Sequence, residues 1–272
     1  MTVSPNLRRL IAANAPLWAG EAEIVRSYWT APHRTRETDK VWLKRQCWKE
    51  YCGLADSEGD SPAMVSDLIV KLKRQVPLLD ISVDRHDLRG LMEKVYVEYT
   101  HYCLFADLYD MLLDPGEPKL NANKLVDWPE ENALATRRRA VSLAGKLGGR
   151  ATEFTEGGYC TMYSEGARLK GKPGFDGAIG RACQKVYDDE FGHMMHGVLG
   201  VDDEHLSDAE WEELTALTTE QLRLRLFMRN AQFGHPLTDT RMKEILAGKI
   251  EPIAFDFAKA ETYLDTHQAA AE

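Results

Sequence analysis

Two stretches, VEYTHYCLF at 97–105 and YDDEFGHMMHG at 187–197, decide how this chain reads. Each holds a glutamate followed three residues later by a histidine: Glu98 with His101, and Glu190 with His193. Residues three apart share a face on a helix, so each pair can reach one ion if its stretch is helical. The apolar spacing around both is helical. Glu98 lies in the stripe Leu91, Val95, Tyr102, Phe105, Tyr109 and Leu112, and Glu190 lies among Ile179, Cys183, Val186, Tyr187 and Met194. A carboxylate turned into an apolar stripe costs several kcal/mol unless a cation meets it. No lysine or arginine occupies the centre of the Glu190 stripe, and Lys94, one turn before Glu98, is the only local rival. A pair of metal ions answers both cases. A carboxylate that can bridge and an imidazole that ligates terminally are what paired iron or manganese needs from each helix.

Working outward, helical periodicity dominates and no series of alternating strands stands out. The spacing predicts helices over 16–30, 37–56, 62–76, 84–113, 128–169, 175–199, 207–233 and 239–248. Ser61-Pro62 and Asp127-Trp128-Pro129 are start signals, and Ser207 with Glu210 forms a capping-box pattern. DSEGDS at 56–61, the stretch around Pro115 and Pro118, and GKPGFDG at 171–177 read as turns. None is long enough to force a boundary, so the expectation is one all-α domain over 1–272 with a loose end at THQAAAE.

The bulk numbers exclude some classes. With 44% hydrophobic and 28% charged residues over 272 positions, the chain reads as a soluble globular protein. A formal net charge of -9 argues against coating nucleic acid. There is neither a signal-peptide pattern nor an apolar run that spans a membrane. Cys47, Cys52, Cys103, Cys160 and Cys183 form no CxxC pair, so the expected home is a reducing cytoplasm.

A four-helix metal site needs one more carboxylate from each remaining helix. Glu156 suits the third helix: it lies 34 residues before Glu190, with the 170–175 loop near the midpoint. Gly157 and Gly158 follow it, leaving room beside the metal for a substrate or a helix bulge. For the last ligand the order of preference is Asp67, then Glu50, then Glu21. Asp67 has hairpin spacing to Glu98 but lies opposite its own apolar stripe. Glu50 sits beside Leu43, Cys47 and Leu54, and Glu21 beside Leu17, Ile24, Val25 and Tyr28. Tyr102 and Tyr163 are candidates for a radical or hydrogen-bonding role, against their ordinary reading as core aromatics. His196 points away from the ligand direction, and the basic runs at 71–74 and 137–139 read as solvated faces.

On these residues the chain resembles the ferritin-like di-iron carboxylate superfamily, whose ligand pattern is Glu plus Glu-x-x-His. The run Asp189-Glu190-Phe191-Gly192-His193 is similar to the D-E-x-x-H of ribonucleotide reductase small subunits and bacterial multicomponent monooxygenases. The resemblance covers roughly 62–199. It implies a ferritin-like four-helix core there, with additional helices at both ends. It also implies that Asp189 orients a ligand histidine. The expected ligand set is then Asp67, Glu98, His101, Glu156, Glu190 and His193, holding two iron ions, with manganese allowed. The expected activity is an O2-dependent oxidoreductase acting on a small organic molecule. An external electron donor and a homodimer are compatible with it, and neither nucleic acid nor membrane is an expected partner. The rival readings are a non-enzymatic iron-binding protein and a metal-free helical interaction protein.

Overall fold

The computed structural model describes residues 3–52, 64–121, 124, 128–202 and 205–268. In chain order its helices are α1 (Pro5–Trp29), α2 (Arg36–Cys52), α3 (Met64–Gln75), α4 (Arg85–Asp110), α5 (Pro129–Leu143), α6 (Lys146–Phe154), α7 (Thr161–Ala167), α8 (Gly174–Leu199), α9 (Asp208–Gln232), α10 (Asp239–Leu246) and α11 (Phe257–Gln268). Short 3-10 segments occupy Val76–Leu78 and Glu156–Cys160. The described residues contain no strand, so the chain is all-α.

Local chemistry sets many of the boundaries. Ser4 accepts a hydrogen bond from the Leu7 amide with Pro5 at the first helical position, and Asp84 caps α4 through the His86 amide. The box read from the sequence at α9 is complete, with Ser207 and Glu210 each bonding the other's backbone. Ser61-Pro62 lies outside the described residues. Two helices differ from expectation. Helix α1 begins at Pro5 and runs through Pro16, because Leu7, Leu10 and Ile11 bury a face upstream that outweighs an internal proline. Helix α11 lies beyond the expected helices, and only its residues 266–268 fall in the stretch expected to trail loosely.

The largest difference concerns the expected helix 128–169. It is three helices and a turn. Gly145, with φ 143°, separates α5 from α6, and Gly158, Tyr159 and Cys160 all adopt left-handed φ values of 54°, 58° and 51°. Left-handed backbone costs a non-glycine residue roughly 1–2 kcal/mol. The surroundings hold it. The Tyr159 ring stacks on Trp18 at 4.9 Å and packs on Phe255 at 5.4 Å, while the Thr161 hydroxyl donates to the Gly158 carbonyl at 3.1 Å.

Contacts part the chain into two compact units, where the sequence suggested one domain. Unit 1 comprises residues 1–33, 128–172 and 179–272, and unit 2 comprises 34–127 and 173–178. In unit 1, α9 packs against α1, α5 and α6. Its core centres on fully buried Trp18, stacked on Phe154 as well as Tyr159. In unit 2, α2 and α4 form the main seam, closed by a Trp42–Phe105 edge contact at 6.3 Å, and α3 packs on α4.

Candidate metal site

Unit 2 brings Glu50, Glu98 and His101 together. One ligand-capable atom of each lies within 4.8 Å of the others. Glu98 and His101 come from adjacent turns of one face of α4, as their spacing demands. Glu50 comes from the last turn of α2, on the buried face that also carries Leu43 and Cys47. His101 and Glu50 are buried at 1% and 7% exposure, and Glu98 is half-buried. The nearest His101 Nδ1 to Glu50 Oε2 distance is 4.0 Å.

The surroundings are apolar and aromatic. Tyr102 packs between Tyr51 at 5.1 Å and Tyr99 at 5.8 Å. Burial pushes the Tyr102 phenol up to about 12. The Cys47 thiol is lifted well above its ordinary range, first by burial and then by the charge of Glu50. Two carboxylates and a neutral imidazole form a donor set of formal charge about minus two, which a divalent cation neutralises. Hard oxygen donors with one imidazole suit iron or manganese, and three protein ligands leave positions open for other molecules.

Of the alternatives for the last ligand whose side chains are described, Glu50 is the one beside His101. The Asp67 side chain lies outside the described residues. Glu21 has another role, in unit 1. It is 1% exposed, with Oε2 accepting from Arg225 Nε at 2.9 Å and Oε1 from Arg229 Nε at 2.7 Å. It is an ion-paired core residue.

The second Glu-x-x-His pair belongs to unit 1. Glu190 is partly buried and its Oε2 lies 3.3 Å from His193 Nδ1, whose side chain is 68% exposed. The expected stripe under it is real: Ile179, Cys183, Val186 and Met194 are buried. Glu156, however, is exposed and opens the left-handed turn instead of sitting within a helix. Close backbone approaches explain the shift. Gly180 packs on the Lys170 backbone, Gly197 on the Glu153 backbone and Gly166 on the Cys183 side chain, and in this register the charge of Glu190 acts on Cys160. The Cys160 thiol is accordingly raised to about 12, by burial and then by the Glu190 charge. Glu156 falls about one helical turn from the level its spacing suggested. Among the described residues, Glu156, Glu190 and His193 do not form a three-ligand cluster like that of unit 2.

Asp189 pairs with Lys185 one turn back, an ion pair that competes with orienting a histidine. Tyr163 is half-buried on α7 in the vicinity of Arg225. His196 is exposed, as its direction on α8 suggested. No family model, no curated protein and no solved structure matches this chain.

Proposed function

We propose that this protein is a metal-dependent oxidoreductase whose unit 2 binds iron through Glu50, Glu98 and His101. The convergence of those three side chains from α2 and α4 is the observation that carries the reading. Their chemistry fits the ion: two oxygen donors and one nitrogen donor, mostly buried, with net negative charge. Bound iron would supply redox chemistry toward O2 with a small organic substrate. The chain's own contribution is to hold the donors on two packed helices and to wall the site with fully buried Phe105 and with Tyr102, which packs on Tyr51. The ferritin-like resemblance belongs to this proposal, as does a second ion at Glu190 and His193 in unit 1. Manganese is the alternative metal.

Anaerobic loading with ferrous iron, followed by gel filtration and metal analysis, tests the reading. We expect at least about one tightly held iron per chain, and about two if the second set also binds. Loss of iron in Glu50→Ala but not in Asp67→Ala would identify the ligand from α2. An iron content well below about one per chain would overturn the proposal. A metal-free role has one observation in its favour, the 4.0 Å Glu50–His101 approach, which a protonated imidazole could turn into a simple ion pair. Exposure of the loaded protein to O2 separates an oxidoreductase from a passive iron binder: only the former couples iron oxidation to substrate turnover.

A further inference from the structure

Gln46 stands beside the candidate metal site without being one of its donors. It lies one turn before Glu50 on α2, and residues four apart share a helix face. That face is buried: Leu43 and Cys47 are 0% exposed, Gln46 is 1% and Glu50 is 7%. The Gln46 Nε2 amide donates a hydrogen bond to Glu50 Oε1. An ionised carboxylate only accepts, so the amide nitrogen is the atom that must face it. The other oxygen, Oε2, lies 4.0 Å from His101 Nδ1. The two oxygens of one carboxylate thus have different neighbours: an amide of the same helix on one side, the imidazole of α4 on the other.

On an exposed helix face a pair at this spacing contributes little. Burial changes its meaning, because a buried carboxylate must be met by donors or by a cation. Gln46 is neutral. It supplies a donor but no countercharge, so Glu50, Glu98 and a neutral His101 keep their formal charge of about minus two. Glu21 shows the alternative: arginines hold both of its oxygens and cancel its charge within the chain. A glutamate side chain turns about several bonds, and fixing one of its oxygens lowers the ordering still needed when an ion arrives. Carboxylates that ligate metals are commonly held by such hydrogen bonds, and loss of the holding group weakens binding by roughly 10–100-fold.

On the metal reading of this site, we infer that Gln46 is a positioning residue for it: the amide ties Glu50 Oε1 to α2 and leaves Oε2 to face His101 and the ion. Glu50 then offers one oxygen, and binding through both oxygens is closed while the amide holds. The place on the ion that a second Glu50 oxygen would fill stays open for other molecules. Gln46 itself touches neither the ion nor a substrate and acts through Glu50 alone.

The test is metal binding by the full chain, with ferrous iron titrated anaerobically against a chelator and with cobalt(II) as a spectroscopic probe of coordination. Gln46→Met keeps the length and volume of the side chain and removes the donor. It should weaken iron binding by about 10–100-fold and change the visible bands of the cobalt-loaded protein, since Glu50 is then free to turn both oxygens to the ion. Gln46→Asn, one methylene shorter, withdraws the donor but keeps an amide, and should act alike; a cooperative melt identifies whichever variants fold. Over Glu50→Ala, adding Gln46→Met should change the affinity by less than about twofold, because the amide then has no carboxylate to hold. Wild-type affinity with an unchanged cobalt spectrum in the Gln46 variants would overturn the inference alone and leave the metal reading standing. So would a full loss on adding Gln46→Met to Glu50→Ala. A wild-type chain that binds neither ion would overturn the metal reading and the inference together.

Discussion

Glu21 in unit 1 and Glu50 in unit 2 are both buried carboxylates on the inner face of a helix, yet they are neutralised differently. Glu21 is held between two arginines of α9, each within hydrogen-bond distance. Glu50 lies beside a second carboxylate, Glu98, and an imidazole, His101. The first arrangement carries its countercharge in the chain and leaves nothing for a ligand to add. The second gathers negative charge and a nitrogen donor at one point, an arrangement that a cation completes. Burial of a carboxylate does not by itself signal a site; the sign of its neighbours does.

Removing the carboxylate of Glu21 is the harshest way to break this comparison. Glu21→Ala leaves two buried guanidinium groups without their shared partner, and unfolding free energy should fall by about 3–5 kcal/mol. Urea melts followed by tryptophan fluorescence measure it. Glu50→Ala in metal-free protein should cost clearly less, since it removes one of two carboxylates that lie side by side. Equal losses would mean that both carboxylates are structural.

Metal affinity sharpens the contrast from the other side. Glu98→Ala and Glu50→Ala should each weaken iron binding by roughly 100-fold or more, as expected for loss of a direct ligand. Glu21→Ala, where it remains folded, and His196→Ala should leave the affinity unchanged. Competition with a chelator of known affinity reads all four. An unchanged Glu98→Ala would remove the reason for distinguishing the two units.

How much of this was legible depends on the distance over which each signal acts. The capping box at Ser207 and the shared face of Glu98 and His101 are i,i+3 relations, visible in one helix, and helices 84–113, 175–199 and 207–233 match α4, α8 and α9 to within three residues. The arginines that claim Glu21 lie 204 and 208 residues away, so no local pattern could reveal them. Hairpin spacing favours Asp67 over Glu50 in the sequence, the burial of its face favours Glu50, and the Asp67 side chain lies outside the described residues. Glu156 failed for a different reason. Spacing assumes regular helix, and the left-handed turn at Gly158–Cys160 breaks that assumption. The adjacent glycines, Gly157 and Gly158, are its one signal: of the two readings they allow, room for a substrate or a helix bulge, the second points to an irregular backbone there.

That turn also bears on Glu21. A Cβ added to Gly158 would collide with Arg225 Nε and Glu21 Oε2, and the residue's φ of 54° disfavours any side chain. Gly158→Ala should therefore cost about 2 kcal/mol, most of it through the displaced ion pair. Gly149→Ala, at a helical position with open space, should be neutral or slightly stabilising. Thermal melts compare the two, and similar values would show that the turn and the ion pair are not coupled.

The smallest effect is the pH dependence of the same carboxylate. Burial alone would raise the Glu21 pKa, but the charges and hydrogen bonds of Arg225 and Arg229 outweigh it and hold the group below its ordinary value of 4.5. The unfolded chain has no such arginines in place and titrates at the ordinary value. The folded state therefore binds fewer protons in the acid range, and stability rises with pH there. The contribution is complete above about pH 5 and is lost as pH falls through the depressed folded value. Acid melts of wild type and Glu21→Gln should then differ in slope: steeper loss in the wild type, and a flatter curve from a lower start in the variant. The effect is confined to the acid limb because two arginines keep the carboxylate ionised elsewhere. In unit 2 the same acidification should act through the metal instead, since protons and iron compete for Glu50, Glu98 and His101. Parallel acid slopes in wild type and variant would show that the arginine pair does not tune Glu21.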